Sequence, residues 1–407
     1  MTKTKLVALL AALLLIAAAC GSDDASDDTD AGDGDGETAT TAAAADDDDD
    51  DAADDGEDDA ADDGDMAQPG EGVSVTMGRA DWSTGYFQAA VYRQLMEELG
   101  YEVSDPADLE LGPSLAYLSM AQGDFDFWVN SWYPGHLSWL GAEMPDGSEV
   151  GDHVEVVGEE MMAGGLQGFL MTKAFADEHG ITHVDQLNDD PAILAAFDES
   201  DPVPGNGIAD IYGCQESWTC DNIILNQIAF SGWDNIQETI AGYDAMMAEA
   251  VAKAEAGEPM LIYTWTPSAY ITNLIPGDNV VWLAVEEVLD DSNPAEQDGG
   301  EEHDQRPGQA SIGAEQCPAA ADADNCQLGW IAADIQVTGN SEFLAANPAA
   351  AALLEQVILP VIDVSLANVE QANGRDTNED IGALASEWIA DNRELADTWI
   401  DAALAVG

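Results

Sequence analysis

The chain has 407 residues, 82 of them acidic and 9 basic, for a formal charge of −73 at pH 7. That balance excludes nucleic acid and anionic membrane surfaces as partners, because both require clustered Lys and Arg. A hydrophobic fraction of 46% with 11 Trp excludes a globally disordered chain, and the length suits two compact units or one large α/β assembly. The charge is unevenly spread. Gly21 to Gln68 holds 22 acidic and no basic residues, which leaves 60 acidic and 7 basic residues from Pro69 onward, a charge of −53. A surface so covered in carboxylates suits a salty medium, where its self-repulsion is screened.

Lys3 and Lys5 precede an apolar run from Leu6 to Ala19, the length of a signal-peptide core and too short to span a bilayer comfortably. The run ends in Ala17-Ala18-Ala19-Cys20-Gly21, which resembles the lipobox of bacterial lipoproteins. The resemblance implies that residues 1–20 are an export signal and that Cys20 is a lipid anchor and the mature N-terminus. The protein is then expected outside the cell membrane, held there by lipid alone. Residues 21–68 are mostly Asp, Ala, Gly and Thr with no aromatic residue, and are expected to form a disordered, self-repelling linker. Asp33 to Glu37 has the look of a calcium loop but lacks the following helix and a ligand at the twelfth position. No metal and no cofactor is expected.

Removing Cys20 leaves Cys214, Cys220, Cys317 and Cys326. In an oxidising compartment an even number points to disulfides, and Cys214–Cys220 with Cys317–Cys326 is the simplest of the three pairings that four cysteines allow.

Val73–Met77 reads as a strand, followed by a polar turn containing Gly. Phe87, Val91, Leu95 and Leu99 then mark one face of a helix that Gly100 terminates. Tyr101–Val103 reads as extended, Ser114–Ala121 as helix and Asp124–Asn130 as an alternating strand. Leu166–Met171, Pro259–Tyr263 and Val280–Val285 read as strands. Ala174–His179, Asp221–Phe230 and Ala245–Ala256 read as helices. Strands alternating with helices predict a mainly parallel, covered sheet. Asp290–Asn325 is acidic and aperiodic, as a surface insertion is. Leu328–Ile335 is expected to open a helix-rich tail with Asn347 as N-cap and Pro348 at the first helical position. Trp388, Leu395 and Trp399 are expected in its core.

Three segments place Trp beside a constraint: Ser131-Trp132-Tyr133-Pro134-Gly135-His136, Gly213-Cys214-Gln215-Glu216-Ser217-Trp218-Thr219-Cys220 and Tyr263-Thr264-Trp265-Thr266-Pro267. The first and third are expected as turns following strands, where ligands of open α/β sheets sit. The second opens a helix, whose free N–H groups favour an anion. Together with Gly100-Tyr101-Glu102-Val103 and Gly123-Asp124-Phe125-Asp126, these segments resemble the glycine betaine/proline betaine-binding proteins of quaternary-amine ABC transporters. The resemblance runs from about Gly72 to Val285 and from about Leu328 to the end. It implies a bilobal α/β fold of the periplasmic-binding-protein kind (type II-like), with two crossovers and a ligand cleft. The expected lobes are 69–163 with 330–407, and 164–329.

By that resemblance Trp132, Trp218 and Trp265 form a cage for a quaternary ammonium. His136 and the backbone N–H groups of Thr219 and Cys220 hold a carboxylate. Thr219 stands where some relatives have Gly. The partners implied are a betaine-type solute and a permease with its ATPase, and the protein is expected to be a monomer. Elementary chemistry agrees: a quaternary ammonium has no N–H to donate, whereas an indole face attracts it through its quadrupole and by dispersion. Choline, carnitine and ectoine are alternative ligands within the binding reading. An enzyme using His136 and Cys220 lacks a triad context, and an acidic calcium-binding surface protein would show repeats, which the sequence lacks.

Overall fold

The computed structural model describes residues 68–215, 218–286, 309–310, 312–321, 326–330 and 332–407. The lipobox, Cys20 and nearly all of the acidic linker lie outside them. After the short strand Ser74–Val75, helix α1 (Tyr86–Glu98) forms where the four-residue stripe predicts it. Phe87, Val91, Leu95 and Leu99 are all buried, and Gly100 leaves the helix at φ +90°. Helix α2 (Pro113–Ala121) follows.

Two sheets carry the molecule. The first has three strands, β1 (Phe127–Tyr133), β2 (Val154–Gly165) and the returning β8 (Ala333–Asn340), in the order β1-β8-β2 and wholly antiparallel. The second has five: β3 (Gln167–Thr172), β4 (Ala209–Tyr212), β5 (Ile236–Thr239), β6 (Leu261–Trp265) and β7 (Val280–Leu283), in the order β7-β3-β6-β4-β5. Here β6-β4-β5 is parallel while β3 runs antiparallel to both β6 and β7. A mainly parallel sheet is therefore not what forms. β2 leads directly into β3 in the other sheet, and β8 returns antiparallel between β1 and β2, so reversals replace some of the βαβ steps.

Helices α3 (Thr219–Phe230) and α4 (Tyr243–Ala256) belong to the five-stranded side. Helices α5 (Pro348–Gln356), α6 (Val361–Ala372), α7 (Asn378–Asp391) and α8 (Arg393–Leu404) close the chain. One core gathers Phe169, Leu170, Ile211, Tyr212, Ile262 and Val281 of the five-stranded sheet. A second gathers Val91, Leu95, Phe127, Val337, Leu353 and Leu354 around the three-stranded sheet, and Trp132 packs against both.

Several elements differ from the sequence reading. Leu328–Ile335 leads into a helix-rich tail, but by way of a strand: it enters β8, buried on both faces between two neighbours, and the helices begin only at Ser341. β2 escapes notice because Glu155, Glu159 and Glu160 interrupt its alternation and three glycines, Gly158, Gly164 and Gly165, sit within it. Gly158 there is a packing requirement, since a Cβ would lie 2.2 Å from the Leu354 carbonyl oxygen of α5. The described part of the 290–325 stretch meets the sheet edge, where Gln316 O accepts from Trp282 N–H, and just beyond the stretch Gln327 O accepts from Val285 N–H. Both predicted disulfides form, Cys214–Cys220 and Cys317–Cys326. Trp399 is buried with Trp388 stacked beside it, but Leu395 is 39% exposed, on the outer face of α8.

Glu160 of β2 is fully buried, with its Oε1 accepting from Gln88 Nε2 at 2.7 Å, and burial pushes its pKa up to about 8. The folded chain thus keeps a proton that the unfolded chain releases above its ordinary value of 4.5. Stability therefore falls as pH rises between about 4.5 and about 8 and levels off beyond. Glu160→Gln should remove this contribution to the slope. Denaturant unfolding at pH 5, 7 and 9 should show a shallower decline in the variant than in the parent.

Candidate ligand-binding site

All six residues assigned to ligand from sequence, Trp132, His136, Trp218, Thr219, Cys220 and Trp265, line one cavity with about 480 Å³ of empty space. They arrive from different elements. Trp132 lies within β1, opposite Ile335 of β8, and not in a turn after the strand as the alternation suggested. β1 runs three residues further because the central strand β8 supplies partners through Tyr133. Trp265 is the last residue of β6, Trp218 caps α3, and His136 immediately precedes a short helical turn. The peptide bonds Tyr133–Pro134 and Thr266–Pro267, next to two of these indoles, are both cis. Gly165 at the end of β2 lets Trp132 sit where it does: a Cβ there would fall 2.7 Å from the indole ring and 2.8 Å from Ala333 Cβ.

The structure adds Trp82, which the sequence reading missed. It lies in the turn between the short strand Arg79–Ala80 and α1 and lines the same cavity as the other three indoles. Its ring meets Trp218 edge to face at 5.6 Å, and Trp218 meets Trp265 in the same way at 5.6 Å. The signal was present: Asp81-Trp82-Ser83-Thr84-Gly85 is a Trp in a turn between strand and helix, like the segments that were singled out.

Every indole N–H of the cage is taken by the protein. Asn130 Oδ1 accepts from Trp82 Nε1 at 2.8 Å and from Trp132 Nε1 at 2.9 Å. Asp81 Oδ1 accepts from Trp218 Nε1 at 2.8 Å, and Thr84 Oγ1 accepts from Trp265 Nε1 at 3.2 Å. The donating edges are thus occupied by protein acceptors, and the rings contribute carbon surface to the cavity.

His136 stacks on Trp128 with an interplanar angle of 7° and is buried. Desolvation lowers its pKa to about 3, so the ring is neutral at working pH. Its Nδ1 accepts the Trp132 backbone N–H at 3.0 Å, which assigns the ring proton to Nε2. His136 can therefore donate without carrying charge. Thr219 and Cys220 are the first two residues of α3, where backbone N–H groups have no partner within the helix and the dipole favours an anion. The Thr219 hydroxyl is turned to Trp139, accepting its Nε1–H at 3.0 Å. The Cys214–Cys220 bridge ties that helix start to the end of the β4 segment. There Cys214 N–H donates to buried Glu238 at 2.9 Å, and burial raises the pKa of this carboxyl to about 8. Tyr263 lines the floor and donates to Gln167 Oε1. Among the described residues no group of three or more His, Cys, Asp or Glu is arranged to hold a metal ion.

Residues 73–391 match the family described as the substrate binding domain of the ABC-type glycine betaine transport system. The chain belongs to this family. It is 30% identical over 338 residues to the glycine betaine-binding periplasmic protein OusX of Dickeya dadantii, covering 83% of this chain and 92% of that protein. It is 29% identical over the same share to the glycine betaine/proline betaine-binding periplasmic protein of Escherichia coli. Among solved structures it resembles lactococcal OpuAC in its closed, glycine betaine-bound conformation, with a TM-score of 0.55 at 16% identity over 81% of this chain and 99% of that one. A choline-binding ABC-transporter protein in complex with choline gives a TM-score of 0.56 at 16% identity, over 81% and 96%. These likenesses establish the bilobal binding-protein fold. As a member of the glycine betaine family the chain is an exported substrate-binding component of an ABC transport system.

Proposed function

We propose that the chain captures glycine betaine, or a closely related carboxylate-bearing quaternary amine, between Trp132, Trp218 and Trp265. The observation that supports this most is the pairing, in one cavity, of indoles whose N–H groups are already bonded with an uncharged His136 donor and a helix start. The first half suits a cation with no hydrogens to donate; the second suits a carboxylate. Each indole face contributes about 0.5–2 kcal/mol to a desolvated cation. Charge-assisted bonds at the carboxylate add about 1.5–3 kcal/mol each. After association costs, micromolar binding, about −8 kcal/mol, is within reach. A primary ammonium loses strong hydration in such a box and is rejected.

Trp82 extends the same apolar wall. The donors around His136 favour betaines over choline, which brings no carboxylate to them. Calorimetric titration of the mature protein with glycine betaine, proline betaine, carnitine, choline and ectoine tests the ranking. Preference for choline over glycine betaine would overturn it.

The reading is a binding protein rather than an enzyme, since Cys220 is held in a disulfide and His136 is fixed by Trp132 N–H and the Trp128 face. Two lobes, 69–163 with 330–407 and 164–329, close on the ligand as a monomer and present it to the permease. A ligand that touches both lobes gives closure the differential free energy it requires. Cys20 carries the lipid that keeps the protein at the outer face of the membrane. Cys20→Ala should release the protein from the membrane fraction or leave its precursor unprocessed, and unchanged fractionation and processing would reject the anchor.

A further inference from the structure

We infer that Asp81 is a positioning residue: it fastens Trp218 across the cleft and so sets ligand affinity without touching ligand. The inference rests on the betaine reading above. Asp81 follows the short strand Arg79–Ala80, which packs against β1 of the three-stranded sheet, and precedes α1. Trp218 caps α3 beside the five-stranded sheet. The 2.8 Å bond from Trp218 Nε1 to Asp81 Oδ1 therefore joins the two sides, and the 3.2 Å bond from Trp265 Nε1 to Thr84 Oγ1, three residues along the same turn, joins them again. One five-residue turn thus holds an indole of its own, Trp82, and the acceptors for both indoles that approach from opposite.

Asp81 does not line the cage cavity. It lines a neighbouring space of about 370 Å³ on the far side of Trp82, Trp218 and Trp265, together with Tyr243 and Tyr270. Its carboxylate is thereby placed to act through the indole edge rather than on the ammonium. Bringing the two sides together and orienting two cage walls are then one event, because each bond needs its donor and acceptor from opposite sides. An indole held at its N–H edge by a charge-assisted bond loses little further freedom when the cation arrives, which is how preorganisation raises affinity.

Two variants separate this role from direct attraction between the Asp81 charge and the ligand cation. Asp81→Asn keeps an acceptor oxygen in the same volume but removes the charge; Asp81→Leu removes both. With glycine betaine and tetramethylammonium as probes in calorimetry, Asp81→Leu should weaken both by about tenfold or more, the scale of a lost hydrogen bond to a charged group. Asp81→Asn should stay within about threefold of the parent, as an uncharged acceptor that keeps the bond predicts. An Asp81→Leu protein that binds like the parent, or an Asp81→Asn protein as impaired as Asp81→Leu, overturns the inference.

A ligand-free readout keeps it independent of the betaine reading. The Trp218 indole N–H resonance, assigned by its loss in Trp218→Phe, should be slow to exchange in the parent and in Asp81→Asn and fast in Asp81→Leu. Equal exchange in all three rejects the latch even where betaine binds. If the parent binds no betaine, the ligand reading fails and this resonance alone decides the latch.

Discussion

Trp218→Ala and Trp265→Ala should each lower glycine betaine affinity by about five- to 150-fold, a loss of about 1–3 kcal/mol from one quadrupole contact and its buried area. The two rings meet edge to face and share Tyr243 as a neighbour, at 5.6 Å from Trp218 and 4.6 Å from Trp265. Removing either therefore loosens the other, and the double variant should lose less than the sum of the single losses. Trp132→Ala belongs to the same class, although its ring is also wedged against Gly165 and bonded to Asn130. Phe in these positions should rescue in part, because the smaller face remains while the N–H anchor to Asp81 or Thr84 is lost. Calorimetry on folded variants, with unfolding midpoints measured alongside, reads this directly. Affinities equal to the parent in all three Ala variants would move the cage elsewhere.

The second large effect is an asymmetry. His136→Ala should weaken glycine betaine markedly and choline little, since only the former brings a carboxylate to the Nε2–H donor. Loss of one charge-assisted bond corresponds to about 1.5–3 kcal/mol, or about ten- to a hundredfold. A merely misfolded variant loses both ligands alike, so the ratio carries the information. The same geometry sets the pH behaviour. His136 is neutral in the free protein, with a pKa of about 3, and donates as a neutral ring. Betaine affinity should therefore show no fall as pH rises through the ordinary histidine range near 6.5, as it would if a charged imidazolium were needed.

The sequence carried the chemistry of the pocket better than its geometry. Trp132, Trp218 and Trp265 stood out because Pro or Cys beside each limits what the backbone can do there, and the structure gathers all three with His136, Thr219 and Cys220 around one cavity. The paired cysteines and the apolar stripe of α1 depend on short-range spacing, and both formed as read. Non-local pairing was less visible. β1 extends to Tyr133 only because β8, some 200 residues later, supplies the partners Asp334 and Ile335. No local periodicity in the 328–335 segment announces that role. Trp82 lacked a flanking Pro or Cys, so its turn read as merely polar; the fold places it in the cage. The acceptors Asn130, Asp81 and Thr84 were equally silent, because a hydrogen bond between positions 81 and 218 has no signature in either neighbourhood.

A crystal structure of the mature protein with glycine betaine tests the central claim most directly. The trimethylammonium group should lie against the faces of Trp132, Trp218 and Trp265, with the carboxylate within hydrogen-bond reach of His136 Nε2 and the Thr219 and Cys220 backbone N–H groups. A ligand bound outside this cavity, or bound in it with its carboxylate turned away from the start of α3, would contradict the assignment.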